Sequence, residues 1–331
     1  MSKKIYTASD IKIISYHELI RKRPGMYFGD LEHGGANQVI CELVANSIDQ
    51  FLAGVASYVK VDIEGDRISV SDDGNGLPFD QPSEEADISL AEHYLTQYHQ
   101  TPTADGHAPH VHVGCSGLGL VAVAAVSATL QITSANGKAV WQQTYQQGKA
   151  LAPPHHEASD RPKGCHFEFT LDKAVFGEAT IDPLRLRKDL FELAHFYPGL
   201  CIELGGERFV SQHGLLELAY HFYQSSSLFS PVKTFSTQAM QDGIQINIAA
   251  IGSAQSTTQY VSWVNGGRSI QGRTHVNGAK AAFEDIGWQP ETVLVHVIMH
   301  QPKFASPTRD FLNEPNVEAA IKQILQNSLS P

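Results

Sequence analysis

An α+β chain is predicted, with a mixed or antiparallel sheet covered by helices on one face and a second α+β unit after it. Three observations predict it. Strand-like runs come in hairpin-like pairs instead of alternating singly with helices: YVKVDI and RISVSD across the turn EGD, then QITSA, AVWQQTYQ and CHFEFTLD. A helical pattern precedes them, with Val39, Ile40, Leu43, Val44, Ile48 and Leu52 at helical spacing. After the polar run QSSS the mixture starts again, with IQINIAAI, QYVSWVN and TVLVHVIMH flanking the helical stretch VNGAKAAFEDI.

In order, the chain reads as an N-terminal arm, a short helix near 16–22, an acidic helix near 35–53, two strands, a helix near 86–97 and a polar stretch over 98–113. Three glycines then precede the Ala-rich run LVAVAAVSATL, which reads as a buried helix, and the later strands follow. The helical segment LLELAYHFYQ separates two expected domains, 1–215 and 222–331. A length of 331 residues with 42% hydrophobic content suits two packed cores.

Composition narrows the function. No stretch approaches the roughly 20 apolar residues of a membrane span, and the start MSKKIYTASD lacks the apolar run of a signal peptide, so a cytoplasmic protein is expected. Cys41, Cys115, Cys165 and Cys201 are scattered without a CxxC pair, which fits neither a zinc template nor a disulfide framework. The net charge of -11 argues against broad nonspecific nucleic-acid binding. Two small basic clusters, Arg21 to Arg23 and Arg185, Arg187 with Lys188, read as solvated faces more readily than as DNA contacts.

Three signatures carry chemistry. In ELVANSID, Glu42, Asn46 and Asp49 stand at i, i+4 and i+7, a polar line beside the apolar stripe of one helix. In DDGNG, Asp72 ends a strand where a carboxylate can accept from an exocyclic amine, and Gly74 and Gly76 let the chain turn tightly. In GCSGLGL, Gly114, Gly117 and Gly119 open a helix, where free backbone N–H groups and the positive dipole end suit phosphate. This turn does not follow a strand as a dinucleotide-binding GxGxxG does, and it lacks the GK[ST] ending of a P-loop.

With these signatures the chain resembles the N-terminal half of the type IIA topoisomerase B subunits (DNA gyrase B and topoisomerase IV B), members of the GHKL ATPase superfamily. The likeness extends to YTASDIKIISYHELIRKRPGMYFGD at the arm, YVSWVNGGRSIQGRTHVNG in the second unit and PKFASPTRDFLN near the end, about residues 5–325 in all. The resemblance implies a GHKL (Bergerat) sandwich followed by a ribosomal-protein-S5-like transducer, shortened and without a TOPRIM domain. It implies ATP and Mg2+ as ligands and a homodimer formed on ATP binding. A gyrase A-like subunit and DNA are the implied partners if the chain is part of a larger topoisomerase; no membrane is implied.

Residue by residue, the resemblance assigns Glu42 as general base, Asn46 as a Mg2+ ligand through its amide oxygen, and Asp72 as acceptor for the adenine amino group. Asp49 either orients its neighbours or pairs with a basic side chain, and Asp73 faces solvent or a backbone amide. Gly74, Gly76, Leu77 and Pro78 form the turn and wall beneath the base, and Gly114, Ser116, Gly117, Leu118 and Gly119 the phosphate turn. Tyr6 in the arm reaches the partner's nucleotide.

The departures are equally specific. Ala45 stands where the family has Asp, and Cys165 where it has Thr. The lid-like stretch YHQTPTADGHAPHVHV has Thr101, Pro102, Thr103 and Ala104 in place of GGKF, so a phosphate-reaching lysine is missing there. Pro307, Thr308 and Arg309 replace a Gln-Thr-Lys triplet; Arg309 keeps a charge for the γ-phosphate with a different geometry. His99, His107, His110 and His112 lack a rigid frame for a metal, and protonation that adds charge near phosphate is the alternative. The expected activity is Mg2+-dependent ATP hydrolysis, with Arg309 beside Glu42 in the catalytic set. A stand-alone nucleotide switch or decoy with little turnover is the second expectation. A GHKL kinase or chaperone is disfavoured by the transducer-like second half.

Overall fold

The computed structural model describes residues 14–32, 34–98, 119–223, 232–252, 257–270, 272–305 and 311–329. Helix α1 (Tyr16–Lys22) starts at a capping box in which the Ser15 hydroxyl accepts from Glu18 N and the Glu18 carboxylate accepts from Ser15 N. After α2 (Gly25–Phe28) comes α3 (Gly35–Leu52), whose stripe of Val39, Ile40, Leu43, Val44 and Ile48 is wholly buried. Strands β1 (Tyr58–Glu64) and β2 (Arg67–Asp72) pair antiparallel, and α4 (Leu90–Thr96) and α5 (Leu120–Val126) precede β3 (Ser127–Ala135). Strands β4 (Ala139–Gln146), β5 (Lys149–Ala150), β6 (His155–Ala158) and β7 (Gly164–Leu171) follow. The rest of this half is α6 (Lys173–Phe176), α7 (Pro183–Phe196), β8 (Cys201–Leu204), β9 (Glu207–Phe209) and α8 (Leu215–Phe222).

The strands join in one sheet of order β5-β4-β3-β7-β2-β1-β8-β9, with β6 paired to β4. All its pairs are antiparallel except β1 with β8, so the sheet is mixed. Two apolar rows cross it on one face: Val61, Val70, Phe167 and Ile132, then Ile63, Ile68, Phe169 and Leu130. This face packs into the helical core with α3 and α5. Lys60, Asp62, Ser71, His166 and Glu168 alternate to the other face, which is the one-sided covering that strand alternation predicts.

The second sheet has the order β10-β11-β14-β12-β13, built from β10 (Lys233–Gln241), β11 (Ile244–Gly252), β12 (Gln259–Val264), β13 (Gly267–Arg268) and β14 (Thr292–Ile298). Helix α9 (Thr274–Ile286) connects β13 to β14, and α10 (Pro315–Leu329) follows. On one face Ile246, Ile248, Val293, Val295 and Val297 share a core with Phe283, Ile321 and Leu325 of the two helices. On the other face Ala249, Ile251, Val261, Trp263 and Leu294 join the first core, against which α7 and α8 pack.

The structure differs from the sequence reading in four places. The helix predicted through LVAVAAVSATL ends at Val126, because Ser127 adopts extended backbone and its hydroxyl donates to Val123 O at 2.7 Å; Ser127 onward is strand. The helix predicted near 86–97 begins at Leu90, where Ser89 and Glu92 form a capping box. Strand β10 was not expected: it is an edge strand that exposes alternate residues, so its polarity hides it. Helix α10 was not expected either, although Val317, Ala320, Ile321, Ile324 and Leu325 are buried at helical spacing.

Candidate functional site

Helix α3 and the end of β2 bring the first two signatures together. Asp72 is the last residue of β2, and Ser47, one position past Asn46 on α3, donates its hydroxyl to Asp72 Oδ2 at 3.1 Å. Gly74 N donates to the other oxygen at 2.9 Å. Burial pushes the Asp72 carboxyl above its usual range, and the donors from Gly74, Ser47 and the Cys165 backbone offset this only in part. Asp72 is thus a shielded acceptor aimed by three donors, which suits recognition of an N–H group.

The neighbouring Asp73 has a different task. Its Oδ1 accepts from Ser57 N at 2.7 Å and Tyr58 N at 2.9 Å, and its Oδ2 accepts from Ser57 Oγ at 2.6 Å. Burial would raise its pKa, yet these donors outweigh burial and hold it below the usual range. Asp73 therefore pins the start of β1, the backbone-amide alternative of the sequence reading.

The glycine turn is fixed by close approach. A Cβ on Gly76, which has φ +79°, would lie 2.5 Å from Ala135 O and 2.8 Å from Ser134 Oγ. A Cβ on Gly74 would meet Asp72 Oδ1 at 3.0 Å and Gln50 Cγ at 3.0 Å. Leu77 N donates to Ser134 Oγ at 2.7 Å, and Pro78 continues the wall as a half-buried residue. Cys165 is buried opposite Asp72 in the β2–β7 register, its Sγ 3.8 Å from Ser134 Oγ, and burial pushes its thiol far up.

Glu42, Asn46 and Asp49 lie along α3 as their spacing predicts. Glu42 is fully buried, while Asn46 and Asp49 are half-buried. Asn46 Nδ2 donates to the Glu42 main-chain carbonyl at 3.2 Å, one turn back. Ala45, at the position of the family's acidic residue, is buried in the core. Gly119 caps α5, whose seven residues are all buried. Tyr6, Gly114, Cys115, Ser116, Gly117, Leu118, the lid residues 99–113 and Pro307, Thr308 and Arg309 lie outside the described residues.

Four contributors escaped sequence reasoning. Ser47 lies within ELVANSID, and only the register of α3 against β2 reveals that it reaches Asp72. Gln50 Oε1 accepts from Asn75 N at 3.2 Å, and Ser134 anchors the turn from β3; neither carries a motif. Gly164, the first residue of β7, has φ +141°, and a Cβ there would lie 2.2 Å from Asp72 O; a glycine directly before the strand-like run CHFEFTLD was the available signal. Elsewhere the basic clusters prove to be paired in part, Arg21 with Asp172 at 2.6 Å and Arg187 with Glu207. Among the described residues no group of three or more His, Cys, Asp or Glu is placed to hold a metal, and no helix is long and apolar enough to cross a membrane.

No family model matches the chain. The DNA gyrase B protein of Clostridium acetobutylicum is 28% identical, aligned with 100% of this chain and 56% of its own length. The DNA gyrase B protein of Streptococcus pneumoniae is 33% identical over 84% of this chain and 44% of its own. The chain thus spans about half the length of the curated relatives it matches. The solved 43K ATPase domain of Thermus thermophilus gyrase B superimposes with a TM-score of 0.73 at 20% identity, covering 95% of this chain and 93% of that one.

Proposed function

Since the chain belongs with the type IIA topoisomerase B subunits and shares their GHKL fold, we propose that it binds ATP between α3 and the end of β2 and hydrolyses it with Mg2+. The observation that carries this reading is the Ser47 to Asp72 hydrogen bond of 3.1 Å. It locks the adenine-recognising carboxylate to the helix that bears Glu42 and Asn46, so recognition and chemistry share one rigid element.

In this reading Asp72 accepts from the exocyclic amine of adenine, and the turn of Gly74, Gly76, Leu77 and Pro78 leaves room for a flat base. Glu42 takes the proton of the attacking water; its burial on α3 keeps bulk solvent from competing. Asn46 fits a Mg2+ role, because its Nδ2 is engaged along the helix and its Oδ1, a hard oxygen donor, is the end that a cation meets. The metal, when bound, supplies charge neutralisation at the phosphates. Asp49 extends the same polar line. Gly114, Ser116, Gly117, Leu118 and Gly119 cradle phosphate, Arg309 meets the γ-phosphate, and Cys165 lines the adenine end.

The reading extends to two domains, 1–215 for the nucleotide and 222–331 as transducer, and to a homodimer closed by ATP through Tyr6 of the arm. A gyrase A-like subunit and DNA are its partners if it acts within a larger topoisomerase, in the cytoplasm. Phosphate release from Mg2+-ATP tests it, with Glu42→Ala as control. Turnover lost in that variant supports hydrolysis, and absence of nucleotide binding sinks the reading. Binding without turnover selects the switch or decoy, which the missing lid lysine and the Pro307-Thr308-Arg309 triplet favour.

A further inference from the structure

One amide clasp and one buried carboxylate connect α3, through α7, to the second sheet. Near the start of α3, Asn37 is 2% exposed; its Nδ2 donates to Asp182 O at 2.9 Å and its Oδ1 accepts from Asp182 N at 2.9 Å. Asp182 is the N-cap of α7, with its carboxylate accepting from Leu184 N and Arg185 N, so the clasp seizes the helix at its first turn. On the third turn of α7, Glu192 is 5% exposed. Its Oε2 accepts from Trp263 Nε1 of β12 at 2.7 Å and its Oε1 from Arg268 Nη1 of β13 at 3.1 Å, with Lys188 Nζ 3.8 Å away on its own helix.

The contacts continue beyond the carboxylate. The Arg268 guanidinium lies over Phe222 and Trp263, 5.5 and 5.8 Å from the ring centres. In the turn between β12 and β13, Asn265 holds φ 51°; its Oδ1 accepts from Met299 N at 2.8 Å and its Nδ2 donates to Met299 O at 2.9 Å. The turn is therefore tied to the end of β14 by a second two-way amide clasp.

A carboxylate out of water is tolerated where its donors are held in place to reach it. Glu192 thus joins α7 to both β12 and β13. We propose that Glu192 is a positioning residue, the joint through which the placement of α3 is transmitted to the β12–β13 turn of the second sheet. The proposal rests on the nucleotide reading above only for the identity of the trigger, not for the joint itself.

Hydrogen exchange of the segment 259–268 in the full chain tests it in two arms. Without nucleotide, Asn37→Ala accelerates exchange in this segment about tenfold, and adds nothing once Glu192→Gln is present. Glu192→Gln is isosteric and keeps one acceptor for Trp263, and Arg268→Lys against Arg268→Ala gives a second pair should it fold poorly. Arg268→Lys retains the response to Asn37→Ala and Arg268→Ala loses it. Additive effects of Asn37→Ala and Glu192→Gln would overturn the proposal, because a merely structural role gives independent destabilisation. In the second arm a non-hydrolysable ATP analogue with Mg2+ slows the same exchange in the wild type. Glu192→Gln then abolishes the response while leaving affinity within about threefold, and lowers turnover without raising KM. A wild-type chain that binds no nucleotide defeats the functional reading alone, and the first arm still decides the joint.

Discussion

The two sheets bury their strands in different ways. In the first, β1, β2 and β7 alternate buried and half-buried positions, so one face meets helices and the other carries Lys60, Ser71, His166 and Glu168. In the second, β14 is buried at all seven positions, because α9 and α10 cover one face and α7 with α8 the other. In the first sheet the proposed ligand-binding residues gather where the end of β2 meets α3. The second sheet is covered on both faces. Its polar groups instead serve as joints: Glu192 against Trp263 and Arg268, and Asn265 against Met299.

This contrast predicts effects of different kinds in the two halves. Glu42→Ala gives the largest: phosphate release falls by roughly a hundredfold or more, measured at saturating Mg2+-ATP. In the second sheet the largest effect is one of stability. His275 is fully buried on α9, neither of its ring nitrogens is hydrogen-bonded among the described residues, and burial pushes its pKa down to about 4. The unfolded chain takes up the proton first as pH falls through about 6.5, so stability is lost between about 6.5 and 4, on the order of 3 kcal/mol in total. Denaturant titrations across that range show the loss, and His275→Leu flattens it; an unchanged slope would remove His275 as the cause.

Gly164→Ala is intermediate. It forces a Cβ to within 2.2 Å of Asp72 O at a φ of +141°. The expected cost is on the order of 2 kcal/mol, read as a lowered melting temperature together with weakened nucleotide binding, because the same carbonyl belongs to the site residue. Gly177→Ala, at φ +60° with no described atom within 4 Å of its Cβ, separates backbone strain from collision. Arg187→Ala is the smallest: it breaks an exposed pair with Glu207, and no change in melting temperature or nucleotide affinity is expected.

What could be read in the sequence follows the same division. The stripe of α3, the β1–β2 hairpin and the long apolar run of β14 are each declared by periodicity or by continuous hydrophobicity. Strand β10 is not, since an edge strand with alternate residues in solvent resembles a polar loop. The start of β3 was absorbed into a helix because Ala and Val runs suit both, and the Ser127 hydroxyl that closes α5 is a local detail no period encodes. At the proposed site, the placement of Glu42 and Asn46 on one helix and of Asp72 at a strand end was legible from their signatures. Ser47, Gln50, Ser134 and Gly164 act through contacts between elements far apart in the chain, such as Ser134 beneath Leu77. The joint at Glu192 was invisible for the same reason: a single acidic residue on an amphipathic helix gives no sign that it points at Trp263.

Calorimetric titration of a non-hydrolysable ATP analogue with Mg2+ into the wild type, Glu42→Ala and Asp72→Asn is the most direct test of a nucleotide site built between α3 and β2. The carboxyl of Asp72 has a raised pKa in the folded chain, so its ionisation costs stability at pH above the folded value, and that stability returns as pH falls from the folded value to the unfolded one. Asp72→Asn therefore raises the melting temperature of the ligand-free chain at neutral pH. The account predicts one site in the wild type, retained in Glu42→Ala and weakened at least about tenfold in the more stable Asp72→Asn. Equal affinity in all three proteins, or no heat in the wild type, would contradict it.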